Sequence, residues 1–140
     1  DYISSGRLFL GVCLGLQLLL DRTEEGDAPC LGVLPGDTKL LPAGLKVPHM
    51  GWNSVTFKDD KSNRHPVLTG IPDNSFFYFV HSYYANPEHR DGVSATTEYG
   101  IPFCSIYAKG NLIATQFHPE KSGPVGLRFY RNFIAMAQVN

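Results

Sequence analysis

Five residues constrain this chain more than any others: Gly11-Val12-Cys13-Leu14-Gly15, set directly after the apolar run Leu8-Phe9-Leu10. A short apolar run of that kind reads as a buried strand, and the leucine-rich stretch from Leu14 to Leu20, closed by Asp21-Arg22, reads as a helix. Strand, sharp turn and helix therefore meet at Cys13. A turn so tight leaves no room for a Cβ two places on either side, which glycine answers at both positions. This arrangement, a nucleophile elbow, lifts its central side chain above the sheet. It sets the thiol at a helix N-terminus, whose dipole favours thiolate. The backbone N–H of Leu14 faces the same spot, where it would donate to a developing oxyanion. A buried core cysteine between two structural glycines remains the plain alternative, and the pentapeptide alone does not separate the two.

A thiol nucleophile needs a base, and the base needs a group to orient it. Thr115-Gln116-Phe117-His118-Pro119-Glu120 offers both. Residues two apart on an extended chain project the same way, so Glu120 can hold the ring of His118 while His118 takes the thiol proton. Pro119 stiffens the strand exit between them. Taken alone, His-Pro-Glu is also what a surface turn looks like.

The remaining pattern is mixed α/β in a single domain over residues 1–140. Strands are expected around Asn53 to Phe57 and Phe76 to Val80. Turns are expected at Leu34 to Asp37 and Pro42 to Gly44, and polar loops at Glu24 to Pro29 and Asp59 to His65. Pro102 to Tyr107 and Leu112 to Phe117 flank Lys109-Gly110-Asn111 as a hairpin. Ser122-Gly123-Pro124 opens a final helix whose apolar stripe is Leu127, Tyr130, Ile134 and Ala137. Twelve basic and 13 acidic residues leave a net charge of −1, without the basic stripe of a nucleic-acid binder. No apolar run approaches a membrane span. Three cysteines, an odd number without metal-ligand spacing, point to reduced thiols in the cytoplasm, with Cys30 and Cys104 as ordinary core thiols. No metal site or cofactor is expected. His49 and His81 sit in polar-aromatic settings without a catalytic assignment, and His65 and His89 lie in charged loops.

Elbow and base motif together resemble the class I (triad-type) glutamine amidotransferases, whose motifs read Gly-x-Cys-x-Gly-x-Gln and Phe-His-Pro-Glu. Three stretches are similar to the glutaminase subunit of imidazole glycerol phosphate synthase: Lys46-Val47-Pro48-His49-Met50-Gly51-Trp52-Asn53, Phe79-Val80-His81-Ser82-Tyr83-Tyr84, and Phe117-His118-Pro119-Glu120-Lys121-Ser122-Gly123. The resemblance implies an α/β fold of the amidotransferase (flavodoxin-like) type, a mixed sheet flanked by helices. It implies a Cys13, His118 and Glu120 triad that hydrolyses glutamine through a thioester. It places Gln17, Ser82 and Tyr83 at the glutamine pocket. Pro48, His49, Met50, Trp52, Asn53 and Lys121 are implied to face a (β/α)₈-barrel cyclase partner, which receives the ammonia in histidine biosynthesis.

The resemblance also implies that these residues are the C-terminal two-thirds of a subunit. The N-terminal strands and a Gly-rich loop with a second oxyanion N–H would then lie upstream, and this segment alone is expected to be nearly inactive. Three other readings stand beside it: another class I amidotransferase, a non-catalytic binding or regulatory subunit, and a cysteine peptidase or other acyl hydrolase using the same triad.

Overall fold

The computed structural model describes residues 2–58 and 64–139. Most of the charged loop expected at Asp59 to His65 lies outside the described residues. Among the described residues, ten strands and two α-helices follow in chain order. They are β1 (Phe9–Val12), α1 (Leu14–Gln17), β2 (Arg22–Thr23), β3 (Ala28–Pro29), β4 (Gly36–Leu40), β5 (His49–Phe57), β6 (Ser75–His81), β7 (Tyr83–Pro87), β8 (Val93–Glu98), β9 (Pro102–Lys109), β10 (Leu112–Thr115) and α2 (Gly123–Val139).

Six strands form the main sheet in the order β1-β10-β9-β8-β5-β6, and β3-β2-β4-β7 form a smaller one. Only β1 and β10 run parallel in the main sheet, with Val12 opposite Thr115. Both chains therefore leave the sheet at the same end. The elbow follows one strand and the base motif follows the other. The hairpin expected around Gly110 is formed by β9 and β10, with Leu112 opposite Lys109.

Two apolar layers sandwich the main sheet. On one side α2 packs Val125, Phe129, Phe133 and Met136 onto Val55, Phe77, Phe79, Ile113 and Phe117. On the other, Leu16, Leu19 and Leu20 cover Cys104, Tyr107 and Ala114. Burial on both faces explains the nearly unbroken apolar sequence of β9, since a strand covered on both sides does not alternate. Burying a side chain such as Phe77 or Phe117 contributes about 1.5–3 kcal/mol.

Several expectations change. The helix after Cys13 is one turn long, ending at Gln17 rather than Leu20. Leu18 to Leu20 leave the helix because the chain turns to feed the small sheet, with Leu34 N–H donating to the Leu19 carbonyl at 2.8 Å. The stretch Glu24 to Pro29 is not only loop, since it contains β3, paired with β2. In α2 the buried stripe is not the expected one. Leu127 and Ile134 are exposed, while Phe129 is fully buried. Two stripes of the helix are apolar, and the aromatic one wins because Phe129 meets the Phe117 ring edge-on at 5.8 Å. Strands β7 and β8 were not foreseen.

Candidate active site

Cys13 sits at φ 54°, ψ −103°, a conformation that a residue with a Cβ adopts only under strain. The surroundings enforce it. Its N–H donates to the Thr115 carbonyl at 2.7 Å, and its own carbonyl accepts from Leu16 N–H at 3.0 Å. A Cβ at Gly11 would stand 2.9 Å from the Gly15 carbonyl oxygen, so the first elbow glycine is needed for close approach. The second is not: a Cβ at Gly15 would meet open space among the described residues, contrary to the expectation that both are sterically required.

The thiol is half-buried, and burial pushes its pKa up rather than down. A single helical turn carries too little dipole to reverse that. The Leu14 N–H and the side-chain amide of Gln116 pull the other way, as does Lys121, while Glu120 adds to the upward shift. The Leu14 N–H thus faces the sulfur. The Cys13 thiol donates to the Val80 carbonyl at 3.7 Å. Gln116 Nε2 donates to Cys13 Sγ at 3.5 Å.

His118 and Glu120 meet as their spacing predicts, Nδ1 to Oε2 at 2.8 Å. Phe117 anchors the pair, fully buried and stacked on Phe77 at 4.0 Å between ring centroids. Ser122 Oγ donates to the His118 carbonyl at 2.6 Å, and the His118 N–H donates to the Tyr78 carbonyl of β6 at 2.9 Å. A carboxylate only accepts, so Nδ1 carries the ring proton and Nε2 is left to accept one. No hydrogen bond joins His118 to Cys13 in this structure; catalytic hydrogen bonds commonly tighten only with substrate bound. Burial alone would raise the Glu120 carboxyl. Its own backbone N–H, His118 and Tyr130 outweigh burial and hold it below its usual value. Tyr130 is a residue that sequence reasoning assigned to packing. Its hydroxyl donates to Glu120 Oε1 at 3.1 Å, and burial with the neighbouring carboxylate pushes it up to about 12.

Gln17 is buried, and its amide nitrogen donates to the Tyr83 carbonyl at 2.8 Å and to Gln116 Oε1 at 3.1 Å. Only its Oε1 is left to face a ligand. Ser82 lies at the crossing from β6 in the main sheet to β7 in the small one, and Tyr83 begins β7. Both are half-buried, and the Tyr83 carbonyl accepts from Gln17 at the end of α1.

The residues expected to face a partner divide by strand alternation. Pro48, Met50, Trp52 and Lys121 are exposed, and Trp52 stands edge-on to Tyr78 at 5.9 Å. His49 points the other way. It is 4% exposed and stacked against Phe79 and Tyr99, so its placement on an outer face is corrected. Its Nδ1 is 2.9 Å from His81 Nε2. Asn53 is half-buried and donates to the Glu98 carbonyl at 2.9 Å. Cys104 is fully buried and pushed up to about 12 by that burial, an inert thiol. A cleft of about 460 Å³ beside Pro35, His89, Asp91 and Tyr107 contains none of Cys13, His118 and Glu120. No helix among the described residues is long and apolar enough to cross a membrane.

Comparison with known proteins places this geometry in context. Residues 1–137 match the family described as glutamine amidotransferase class-I. Imidazole glycerol phosphate synthase subunit HisH of Dehalococcoides mccartyi (strain CBDB1) is 54% identical over 129 residues, covering 91% of this chain and 61% of that protein. The subunit of the same name from Aromatoleum aromaticum is 46% identical over 143 residues, covering 96% and 66%. The chain thus spans about three-fifths of the length of the first of these curated relatives. Among solved structures, PurLQS from Thermotoga maritima aligns with a TM-score of 0.71 at 15% identity, over 96% of this chain and 64% of that one. The glutaminase domain of Trypanosoma brucei CTPS, with bound acivicin, aligns at 0.65 and 18%, over 96% and 62%. At such identities the likeness shows a shared fold.

Proposed function

Because the chain belongs to the class I glutamine amidotransferase family, we propose that it is the catalytic part of a glutaminase serving imidazole glycerol phosphate synthase, the enzyme of which its relatives are named as a subunit. The observation that carries this reading is Cys13, a strained non-glycine elbow at the strand end beside the His118–Glu120 pair. Structures do not hold a nucleophile-type residue at positive φ without compensation from the surrounding bonds.

In the proposed reaction His118 Nε2 takes the Cys13 proton, and the sulfur attacks the side-chain amide carbon of glutamine. The carbonyl π electrons move to oxygen, where the Leu14 N–H donates. Collapse of this intermediate breaks the C–N bond. His118 returns the proton to the departing nitrogen, releasing ammonia and leaving a thioester on Cys13. His118 then takes a proton from water as the water attacks the thioester. Glutamate leaves, and the sulfur recovers the proton. Glu120 holds the ring in the tautomer that each step needs. Gln17, Ser82 and Tyr83 border the place where the amino-acid end of glutamine would lie.

Ammonia passes, in this reading, to a barrel-shaped cyclase partner docked on the outer face that carries Pro48, Met50, Trp52 and Lys121. An exposed aromatic anchor of this kind suits an interface centre. The expected compartment is the cytoplasm, where Cys13 stays reduced. Strand β1 is paired on one side only among the described residues, and the curated relatives are longer. Further strands and a second oxyanion donor upstream would fit there.

The test is labelling of the full-length protein with a glutamine-analogue electrophile, the adduct being mapped by mass spectrometry. A single adduct on Cys13, blocked by glutamine, is expected. Labelling that glutamine does not block, or that an unrelated acylating peptide matches, would instead support an acyl hydrolase. No adduct at all would support a non-catalytic subunit.

A further inference from the structure

Gln116 stands between the two motifs and is used by neither. It is fully buried, a costly place for an amide unless every polar atom has a partner. Its orientation follows from its neighbours without ambiguity. The Tyr83 carbonyl can only accept, so the Gln17 group donating to it at 2.8 Å is the amide nitrogen. That same nitrogen reaches Gln116 at 3.1 Å, so the Gln116 atom there is its oxygen. The other arm of Gln116, 3.5 Å from Cys13 Sγ, is therefore its NH₂. The lock extends further. The Tyr83 carbonyl also accepts from His81 Nδ1 at 2.8 Å, which leaves His81 Nε2 to accept from His49 Nδ1 at 2.9 Å. Asn53 in turn faces His49 Nε2 at 3.3 Å. Each donor and acceptor in this network thus has a single assignment.

We propose that Gln116 is a further catalytic residue, a fixed donor that steadies the Cys13 thiolate, and that Gln17 is the positioning residue that fixes its amide. The inference rests on the assignment of Cys13 as nucleophile. In the resting state the S–H donates to the Val80 carbonyl. When the proton leaves for His118 Nε2 that bond is lost, and the sulfur faces a carbonyl lone pair. The donors then left are the Gln116 amide and the Leu14 N–H. Of the charged groups near the sulfur, Lys121 favours the thiolate and Glu120 opposes it. His81 and His49 are neutral, because burial holds both below their ordinary values. Gln116 thus supplies a donor that costs no reorganisation at the moment of attack.

The experiment is the pH dependence of iodoacetamide alkylation of the full-length protein, resolved by cysteine with mass spectrometry, between about pH 7 and 11.5. Gln116→Met keeps the volume and removes the donor. It should move the Cys13 midpoint up by about one unit, roughly tenfold less thiolate at a fixed lower pH. Gln17→Met should shift it in the same direction, and the double variant no further than Gln116→Met alone. Buried Cys104 reports folding, since it reacts only when the core opens. If Gln116→Met exposes Cys104, Gln17→Met carries the test alone. Superimposable Cys13 curves in folded variants overturn the role of Gln116, and additive shifts overturn the lock. Failure of Cys13 to take the glutamine-analogue label, with the alkylation curves unaffected, would overturn the nucleophile assignment instead.

Discussion

Acid should loosen this fold through one ring. His81 is 5% exposed, and its pKa is lowered from 6.5 to about 4. Burial is the main cause; the Tyr83 carbonyl, accepting from its Nδ1, opposes it, and His49 and His118 add to the lowering. Between those two pH values the unfolded chain binds a proton that the folded chain refuses. Stability from His81 is therefore complete above about pH 6.5 and declines as pH falls, levelling off below about 4. At 1.36 kcal/mol per unit, the full loss is about 3 kcal/mol, of which about 2 kcal/mol falls between pH 7 and 5. The size of the effect has a structural cause. A protonated His81 would carry a hydrogen on Nε2, facing the His49 Nδ1 hydrogen at 2.9 Å. Both rings would have to reorganise, and Asn53 with them. The assay is the urea unfolding free energy as a function of pH, for the parent and for His81→Asn, whose amide can keep the donor to the Tyr83 carbonyl. Carboxylates titrate in both proteins and cancel in the difference. The variant should be less stable at pH 7, and its loss on acidification should be smaller by about 2 kcal/mol between pH 7 and 5. Parallel curves for the two proteins would refute the reasoning.

Other substitutions probe other links. Glu120→Gln, which removes the charge that orients His118, should lower kcat by about 10²–10⁴ with little change in KM; steady-state ammonia release measures it. Tyr130→Phe removes one donor to Glu120 and should cost about 1 kcal/mol in stability, read from thermal unfolding. Phe117→Ala should cost about 3–5 kcal/mol, because the ring is fully buried between Phe77 and Phe129. Trp52, 55% exposed, should tolerate alanine with an unchanged melting temperature, while the affinity for the proposed cyclase partner falls by about 2 kcal/mol or more, measured by titration calorimetry.

The geometry of the candidate site was more legible in the sequence than the packing. The elbow and the His118–Glu120 contact are local: a tight turn needs Gly11, and residues two apart on an extended chain meet. Those constraints are written into a few consecutive residues. The stripe of α2 that faces the core was not, because Leu127 and Ile134 compete with Phe129 and Phe133, and the choice depends on where Phe117 sits after the fold closes. His49 illustrates the same limit. The Pro48 to Asn53 segment alternates, and strand pairing of His49 with His81 decides which alternate residues face inward. Tyr130 and Gln116 were visible as residues and silent as roles, since their partners lie on other elements. The expected thiolate at Cys13 erred for a physical reason too: desolvation of a half-buried sulfur exceeds the dipole of one helical turn.

The most direct measurement is ammonia release from glutamine by the full-length protein and its Cys13→Ala variant, each with the proposed cyclase partner. The variant should bind glutamine and release ammonia no faster than a protein-free control. A Cys13→Ala protein that keeps a substantial fraction of the parent rate would contradict the assignment of Cys13 as the nucleophile.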